Sequence, residues 1–321
     1  MLTDKGTEKM GGESRRPDAF HVGFSKCAST FLQAYFEEHP DIFLVNQSHY
    51  LAPFSLSSYP EGIEAYLQLF DFAATDQLKL ESDEHILLPL FHPVLGAAAT
   101  TLESVQEVST RIKAIQPEAK IIIVVRNQTS LIVSRYSEYV ICGGNRDFDE
   151  FVTEFLQCSQ DGVNYFQNYY AAIMKIFQAD FSPGSVLLLL QEELAQDEPA
   201  TIERLSRFLA VEPRRPRQRG VITRRVGLSR LGMVMMRTFN RLIVKRPKQS
   251  FHEAQVRIPF LLYKVMQRGL RLLDYYLLKK IKGDKASIVS AATAARIRQE
   301  FRRDNELLGE ILGKNLSMFG Y

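Results

Sequence analysis

Lys26 stands in a short loop of small and hydroxyl residues between two apolar runs, a setting suited to binding a phosphate-bearing ligand. An apolar run at residues 20–24 precedes it, and apolar residues at helical spacing begin at Phe31. This order predicts a strand, a tight loop and a helix, so the loop amides and the helix N-terminus point at one place. Lys26 adds a point charge there, and two residues add hydroxyls. The loop consists of Ser25, Lys26, Cys27, Ala28, Ser29 and Thr30.

The loop differs from the common nucleoside-triphosphate loop. The pattern GxxxxGK[ST] places its lysine after a second glycine and directly before the hydroxyl residue. Here Lys26 comes early, and Gly23 is the one glycine nearby. An ordinary strand-to-helix turn capped by Ser or Thr would produce the same pattern. Taken alone, the segment leaves both interpretations open.

A second segment, at residues 120–139, favours the ligand site. Residues 121–125 form a continuous β-branched run, which is typical of a strand buried on both faces. Arg126 follows at the end of that strand, and Ser134 lies eight residues further on, in a predicted helix. Each residue alone could be a solvated charge or a helix-surface hydroxyl. Together with the first segment they predict two anion-binding groups at the ends of two strands.

At these residues the chain resembles the sulfotransferases that use 3′-phosphoadenosine 5′-phosphosulfate. In that family a strand leads into a PKxGTT-like loop for the 5′-phosphosulfate, and a later strand leads into RxP-x5-S for the 3′-phosphate. Lys26, Thr30, Arg126 and Ser134 match those motifs position by position. The resemblance extends to an ExL segment at Glu192 and to the last twenty-one residues, 301–321. The chain departs from the pattern at Ser25 for Pro, Ala28 for Gly, Ser29 for Thr and Gln128 for Pro.

The resemblance implies a separate role in donor binding or catalysis for each of these residues. Lys26 would neutralise the charge that builds on the leaving phosphate, and Thr30 with the loop amides would hold the 5′-phosphate. Arg126 and Ser134 would bind the 3′-phosphate. The family also closes an RKG-like element over that phosphate, which RQRG at residues 217–220 matches loosely and which would assign Arg219. No metal is required, and the six histidines show no HxxxH or HExxH spacing.

The base that would deprotonate the acceptor is less well marked. Related glycan sulfotransferases carry a Glu in a KExHFF-like segment, and Gln47 stands at that position here. Since Gln cannot take a proton, His49 is the predicted base, because imidazole titrates near neutral pH. A structural hydrogen-bonding role for His49 is an equal alternative. Glu81 is a second candidate, in a segment that faintly resembles the family's GExSP. Cys27 is expected to be a small loop residue and not a reactive thiol.

The elements that must position these groups alternate between strands and helices as far as Pro213. This alternation predicts an α/β fold, with a P-loop-like parallel sheet flanked by helices and ligands at the strand C-termini. Beyond Pro213 the pattern is helical, with basic residues interleaved among apolar ones at residues 228–244 and 251–282. We therefore expect a disordered tail at 1–18 and one domain at 19–321. That domain divides into an α/β core at 19–213 and a basic helical C-terminal region at 214–321.

The charge of the chain is unevenly distributed. Residues 214–282 hold nineteen Lys and Arg against two acidic residues, a net charge of +17. The rest of the chain therefore carries −14, because the total is +3. Such a split predicts an anionic membrane surface or an acidic polysaccharide as partner, unless the charges are simply solvated. No nucleic-acid partner is expected. The absence of a signal peptide and of disulfide spacing predicts a cytoplasmic protein, peripheral on the inner membrane face if the membrane alternative holds.

The predicted function is transfer of a sulfuryl group from 3′-phosphoadenosine 5′-phosphosulfate to a hydroxyl of a glycan or a lipid-linked glycan precursor. Two alternatives come from other classes. One is a phosphotransferase that uses ATP in the same loop, against which the missing Walker pattern and the Arg126–Ser134 pair argue. The other is a degenerate, non-catalytic member of the fold that binds nucleotide and membrane. Gln47 and the eroded GExSP segment keep that second alternative open.

Overall fold

A five-stranded parallel sheet forms the centre of the computed structural model, which describes residues 15–46, 59–84, 86–87, 102–160, 169–214, 227–246, 255–280 and 288–321. The strand order is β2-β3-β1-β4-β5. This arrangement confirms the predicted α/β class. The strands are β1 (Ala19–His21), β2 (Ile42–Asn46), β3 (Leu78–Ser82), β4 (Lys120–Val125) and β5 (Val186–Leu190).

Helices cover the sheet and continue beyond it. Those of the α/β part, as far as they are described, are α1 (Ser29–Glu38), α2 (Tyr59–Gln68), α3 (Leu102–Ile115), α4 (Gln128–Ile141), α5 (Phe148–Gln160), α6 (Tyr170–Asp180), α7 (Gln191–Gln196) and α8 (Glu198–Leu209). The C-terminal part contributes α9 (Arg230–Ile243), α10 (Phe260–Tyr276) and α11 (Ala291–Leu312). No helix in the described part of the chain is long and apolar enough to span a bilayer.

The adjacent strands β1 and β4 carry the two segments singled out in the sequence. Five consecutive residues of β4, 121–125, are almost entirely buried, as expected for a central strand with helices on both faces. Pairing between the two strands continues past β1, since Val22 N–H donates to Ile122 O at 3.1 Å and Phe24 N–H donates to Val124 O at 3.0 Å. The C-terminal ends of β1 and β4 therefore lie side by side, where ligands bind in such sheets.

The chain joins the sheet earlier than expected. We predicted a disordered tail over residues 1–18, of which 1–14 lie outside the described residues. Asp18, however, links the two strands that flank β1. Its N–H donates to Lys79 O at 2.8 Å, and its carbonyl accepts the Lys120 N–H at 2.9 Å. Arg15 pairs with Asp71 at 2.8 Å. The boundary predicted at residue 18 is therefore too late by at least four residues, because residues 15–18 belong to the folded part.

The C-terminal region contains more than basic helices. α9 and α10 are linked through a small antiparallel sheet of β6 (Val244–Arg246) and β7 (Gln255–Val256). α11 instead packs on α4, α5 and α6, and its Phe301 and Leu308 are fully buried in the two apolar clusters of the core. Residue 213 is thus no packing boundary for α11, which belongs structurally with the α/β part.

Candidate active site

The loop at residues 25–30 has the backbone of an anion-binding turn. Lys26 and Ala28 both adopt left-handed conformations, with φ of 67° and 66°. Ala28 therefore takes the conformation that a glycine would adopt more easily at this position. Helix α1 begins at Ser29, and among the described residues no side chain caps its N-terminus. The positive end of the α1 dipole therefore lies at the loop, where an anionic group is favoured.

The small side chains of the loop fold back into the protein. The Ser29 hydroxyl donates to Phe24 O at 3.0 Å, and Ser29 is 2% exposed, so Ser29 can meet a ligand only through its N–H. Cys27 is fully buried, and its N–H donates to Phe24 O at 3.1 Å. Burial raises the pKa of the Cys27 thiol to about 12. The cysteine is therefore an inert packing residue. Ser25 and Thr30, by contrast, are partly exposed.

Arg126 lies against the loop, as the sequence predicted for two segments a hundred residues apart. It follows the last residue of β4, and its Nη1 donates to Lys26 O at 3.3 Å. Lys26 and Arg126 thus lie together at the ends of two neighbouring strands. Their combined charge, together with the uncapped N-terminus of α1, makes this edge of the sheet electropositive.

Helix α4 adds an acidic residue that the sequence analysis missed. Ser134 is half-buried on α4, and Glu138 lies four positions later on the same face. Glu138 pairs with Lys26, with 3.2 Å between Oε1 and Nζ, and both side chains are about one-third or more exposed. The i, i+4 spacing from Ser134 was the available signal. The ion pair shows that α4 faces the loop and that Lys26 must share or leave Glu138 to bind a phosphate.

Buried hydrogen bonds fix the backbone around Arg126. Tyr170 donates its hydroxyl to Arg126 O at 2.7 Å, and burial raises the tyrosine's pKa well above its usual value, so it stays protonated. The Asn127 N–H donates to Glu192 Oε1 at 2.8 Å, and the Tyr321 hydroxyl donates to Glu192 Oε2 at 3.1 Å. The ExL segment and the final residues, which the sequence marked only by resemblance, thus meet at the end of β4.

Gln128 occupies the position where the family's motif has proline, and the structure gives it a different task. Its side-chain amide forms a reciprocal pair with Asn305 of α11. Gln128 Nε2 donates to Asn305 Oδ1 at 2.7 Å, and Asn305 Nδ2 donates to Gln128 Oε1 at 3.1 Å. Both residues are buried. A proline would set the chain direction by its ring, whereas Gln128 ties the start of α4 to the C-terminal helix.

The two candidate bases, His49 and Glu81, differ in what the structure says about them. His49, Gln47 and Arg219 lie outside the described residues. Glu81 lies on β3, is fully buried and accepts a hydrogen bond from the Tyr66 hydroxyl. An acceptor molecule therefore cannot reach Glu81 in this conformation. Among the described residues, no group of three or more His, Cys, Asp or Glu side chains could hold a metal ion.

A further histidine, His21, lies near the loop but is closed off from it. It is fully buried at the end of β1, with Nδ1 and Ser82 Oγ 2.8 Å apart. Burial lowers the His21 pKa to about 4, and Asp83 and the backbone at Gly23 offset only part of that effect. His21 is consequently neutral at pH 7 and inaccessible to a ligand. Its contact with Ser82 joins the ends of β1 and β3.

Comparison with known proteins identifies the family of this chain. The model of the sulfotransferase domain family matches residues 16–268. A solved sulfotransferase from Alicyclobacillus acidocaldarius is 18% identical, with a TM-score of 0.56 over 95% of this chain and 99% of that one. The mouse sulfotransferase SULT7A1 complexed with PAP is 16% identical, with a TM-score of 0.40 over 64% of this chain and 63% of that one. No curated protein matches the chain.

The bacterial structure establishes the shared fold, and the family match spans the loop, β4 and most of the hairpin of α9 and α10. The chain therefore belongs to the sulfotransferase domain family, and it is a sulfotransferase enzyme that depends on 3′-phosphoadenosine 5′-phosphosulfate.

Proposed function

We propose that this enzyme transfers the sulfuryl group to a hydroxyl of a glycan or of a lipid-linked glycan. The observation that carries the choice of donor is the contact between Arg126 and the backbone of Lys26 at 3.3 Å. It places the Arg126 guanidinium against the backbone of Lys26, beside a helix N-terminus that no side chain caps among the described residues. A nucleotide with phosphate groups at two positions fits two separate cationic centres, whereas a nucleoside triphosphate presents its charge in one chain.

Each candidate residue has a role in this proposal. Lys26 neutralises the charge that develops on the departing phosphate, and the first turn of α1 with Thr30 holds the 5′-phosphate. Arg126 binds the 3′-phosphate through two parallel N–H groups, and Ser134 donates a hydroxyl to it. Arg219 would add a further cation. Ser25, Cys27, Ala28 and Ser29 shape the loop and contribute backbone groups.

Transfer also requires that the acceptor lose a proton. The acceptor oxygen forms a bond to sulfur as the bond from sulfur to the phosphate oxygen breaks, and the hydroxyl proton passes to a base. We assign that base to His49. With Glu81 buried beneath Tyr66, His49 is the stronger of the two candidates weighed from the sequence. The leaving phosphate takes the electron pair, which is why a cation at Lys26 matters most at that moment.

Nucleotide preference is tested by thermal unfolding with 3′,5′-adenosine bisphosphate and with ATP. A ligand that binds only the folded state raises the melting temperature. The bisphosphate should raise it more than ATP does, because its phosphates at two positions match the two cationic centres. Arg126→Ala should remove most of that rise. Arg207→Ala is the matched control, since Arg207 is 75% exposed on α8 and pairs only locally with Glu203. Equal stabilisation by both nucleotides, unchanged in Arg126→Ala, would reject the two-centre assignment.

Catalysis and acceptor class are tested by turnover. Lys26→Ala should lower kcat much more than it lowers affinity for the bisphosphate, because its charge matters most in the transition state. His49→Ala should lower kcat with little effect on nucleotide binding. A panel of a polysaccharide, a glycolipid and a simple phenol should show turnover with the first two. Nucleotide binding without turnover on any hydroxyl acceptor would instead identify a non-catalytic member of the fold.

A further inference from the structure

The helical hairpin of α9, β6, β7 and α10 presents a surface that the sulfuryl-transfer site does not use. The two helices run antiparallel and touch at both ends. At one end the Ser229 N–H, which precedes α9, donates to Asp274 near the end of α10 at 3.0 Å. At the other end the rings of Phe239 and Tyr263 stack, with their centroids 5.9 Å apart. We call the solvent-facing side of these two helices the hairpin face.

The buried side of α10 carries polar groups that are hydrogen-bonded to neighbouring elements. The buried residues of this helix are Tyr263, Gln267 and Asp274. Gln267 Nε2 donates to Ile141 O at 2.6 Å, which anchors α10 to the end of α4. Asp274 accepts hydrogen bonds from the N–H and the hydroxyl of Ser229. These bonds set the rotation of α10 about its axis, because turning the helix over would leave buried polar groups unpaired.

The outer side of the hairpin is apolar, the reverse of a helix that faces water. Among the described residues, thirteen of the sixteen exposed large apolar side chains lie between positions 231 and 277. Leu261 is 77% exposed and Leu242 is 67% exposed. Scattered apolar residues need no explanation, but a concentration of this kind marks an interaction surface. Those of α10 include Leu261, Leu262, Val265, Leu272 and Tyr276.

Cations are interleaved with these apolar residues, and exposed acids are not. Lys264, Arg268 and Arg271 are exposed on α10, and Arg230 is exposed on α9. Within residues 227–246 and 255–280, the described parts of the hairpin, the one acidic residue is Asp274, and it is 1% exposed. The hairpin face therefore combines exposed apolar side chains with exposed basic ones.

We propose that the hairpin face binds to an anionic lipid surface. Apolar side chains that enter the headgroup region and cations that contact lipid phosphates are the two components of interfacial binding. An acidic polysaccharide would match the cations but leave the leucines in water. A second copy docked face to face would bring Lys264, Arg268 and Arg271 against their own like charges. Among these occupants, an anionic bilayer alone matches both the apolar and the basic residues.

Vesicle co-sedimentation of the full chain tests the proposal without any reference to turnover. The test compares phosphatidylcholine vesicles that contain about one-third phosphatidylglycerol with vesicles of phosphatidylcholine alone. At low salt the protein should partition about tenfold more strongly onto the anionic vesicles. That preference should fall as added salt shortens the Debye length from about 30 Å to about 8 Å.

Two pairs of substitutions separate the apolar from the charged contribution. Leu261→Gln with Val265→Gln should lower partition onto anionic vesicles about tenfold. Phe72→Gln is the matched control, since Phe72 is 85% exposed elsewhere on the molecule, and it should change nothing. Circular dichroism and the melting temperature confirm that each variant is folded.

The charged pair is tested in the same way. Lys264→Glu with Arg268→Glu should abolish the preference for anionic lipid. Arg207→Glu with Arg298→Glu changes the net charge equally at exposed sites outside the hairpin, and it should leave the preference intact.

Three results would overturn the proposal. The first is no binding to anionic vesicles at low salt by folded protein. The second is equal binding to neutral vesicles. The third is a dimer in sedimentation velocity that Leu261→Gln with Val265→Gln converts to monomer, without vesicle binding in either form. That last result would identify the hairpin face as a contact between copies.

Discussion

Acid should destabilise this protein through His21, the histidine buried at the end of β1. In the folded chain its pKa is about 4, against 6.5 for a free histidine. The main cause is burial, which disfavours the charged ring. Because the folded pKa lies below the unfolded one, the stabilisation is fully present above pH 6.5 and is lost as the pH falls towards 4.

The size of the effect follows from the two pKa values. At pH 5 the unfolded chain binds a proton at this residue while the folded chain does not. Protonation of the unfolded state then lowers the free energy of unfolding by about 2 kcal/mol relative to pH 7. Carboxylates elsewhere also titrate in this range, so the total loss does not isolate the histidine. Comparison with a variant that cannot titrate does.

His21→Asn is the variant of choice, because the Asn side chain can still bond to Ser82 from the position of Nδ1. Urea unfolding at pH 7 and pH 5 gives the free energy of unfolding for both proteins. The wild type should lose about 2 kcal/mol more than His21→Asn on acidification. Ser82→Ala serves as control, since it removes the 2.8 Å contact but keeps the imidazole, and it should retain the wild-type loss. If wild type and His21→Asn lose the same amount, His21 does not titrate as its burial implies.

Three further predictions concern the loop, α4 and α11. Ala28→Gly should raise the free energy of unfolding in urea by about 1 kcal/mol, since Ala28 has a left-handed backbone; the control Ala34→Gly inside α1 should lower it, and a loss in both variants would contradict the strain. Glu138→Gln should tighten binding of 3′,5′-adenosine bisphosphate about twofold to fivefold in calorimetry, because the exposed ion pair with Lys26 competes with the ligand; weaker binding would instead give Glu138 a supporting role. Asp304→Ala should cost about 1–3 kcal/mol in urea unfolding, because two backbone N–H groups at the start of α6 lose their acceptor, and a change near zero would contradict this.

The sequence predicted the parts of the site that depend on residues close together in the chain. A strand, a loop with Lys26 and a helix are contiguous, and Arg126 directly follows a β-branched run, so their meeting at one sheet edge follows from parallel topology. Ala28, which stands where the family's motif has glycine, adopts a left-handed backbone despite its side chain. Local chemistry and topology were enough for these features.

The remaining features depend on contacts between distant residues. The residues around Tyr170 in the sequence do not indicate that its hydroxyl bonds to Arg126 O. The residues around Gln128 likewise do not indicate that its amide bonds to Asn305. The hairpin was predicted to be helical and basic, but helical spacing alone does not show which side is buried. In α10 the buried side includes Gln267 and Asp274, because these two polar residues have specific partners on α4 and before α9.

The amide pair between Gln128 and Asn305 affects the order in which the molecule is completed as it is synthesised. The two residues are 177 positions apart, so α4 leaves the ribosome long before its partner on α11 exists. Until α11 arrives, the contact between Gln128 and Asn305 cannot form, and the start of α6 lacks its acceptor, Asp304. Closing so long a stretch of chain makes this a late folding step. A nascent chain therefore carries Lys26 and Arg126 from early on, yet the starts of α4 and α6 gain these contacts only once α11 has docked.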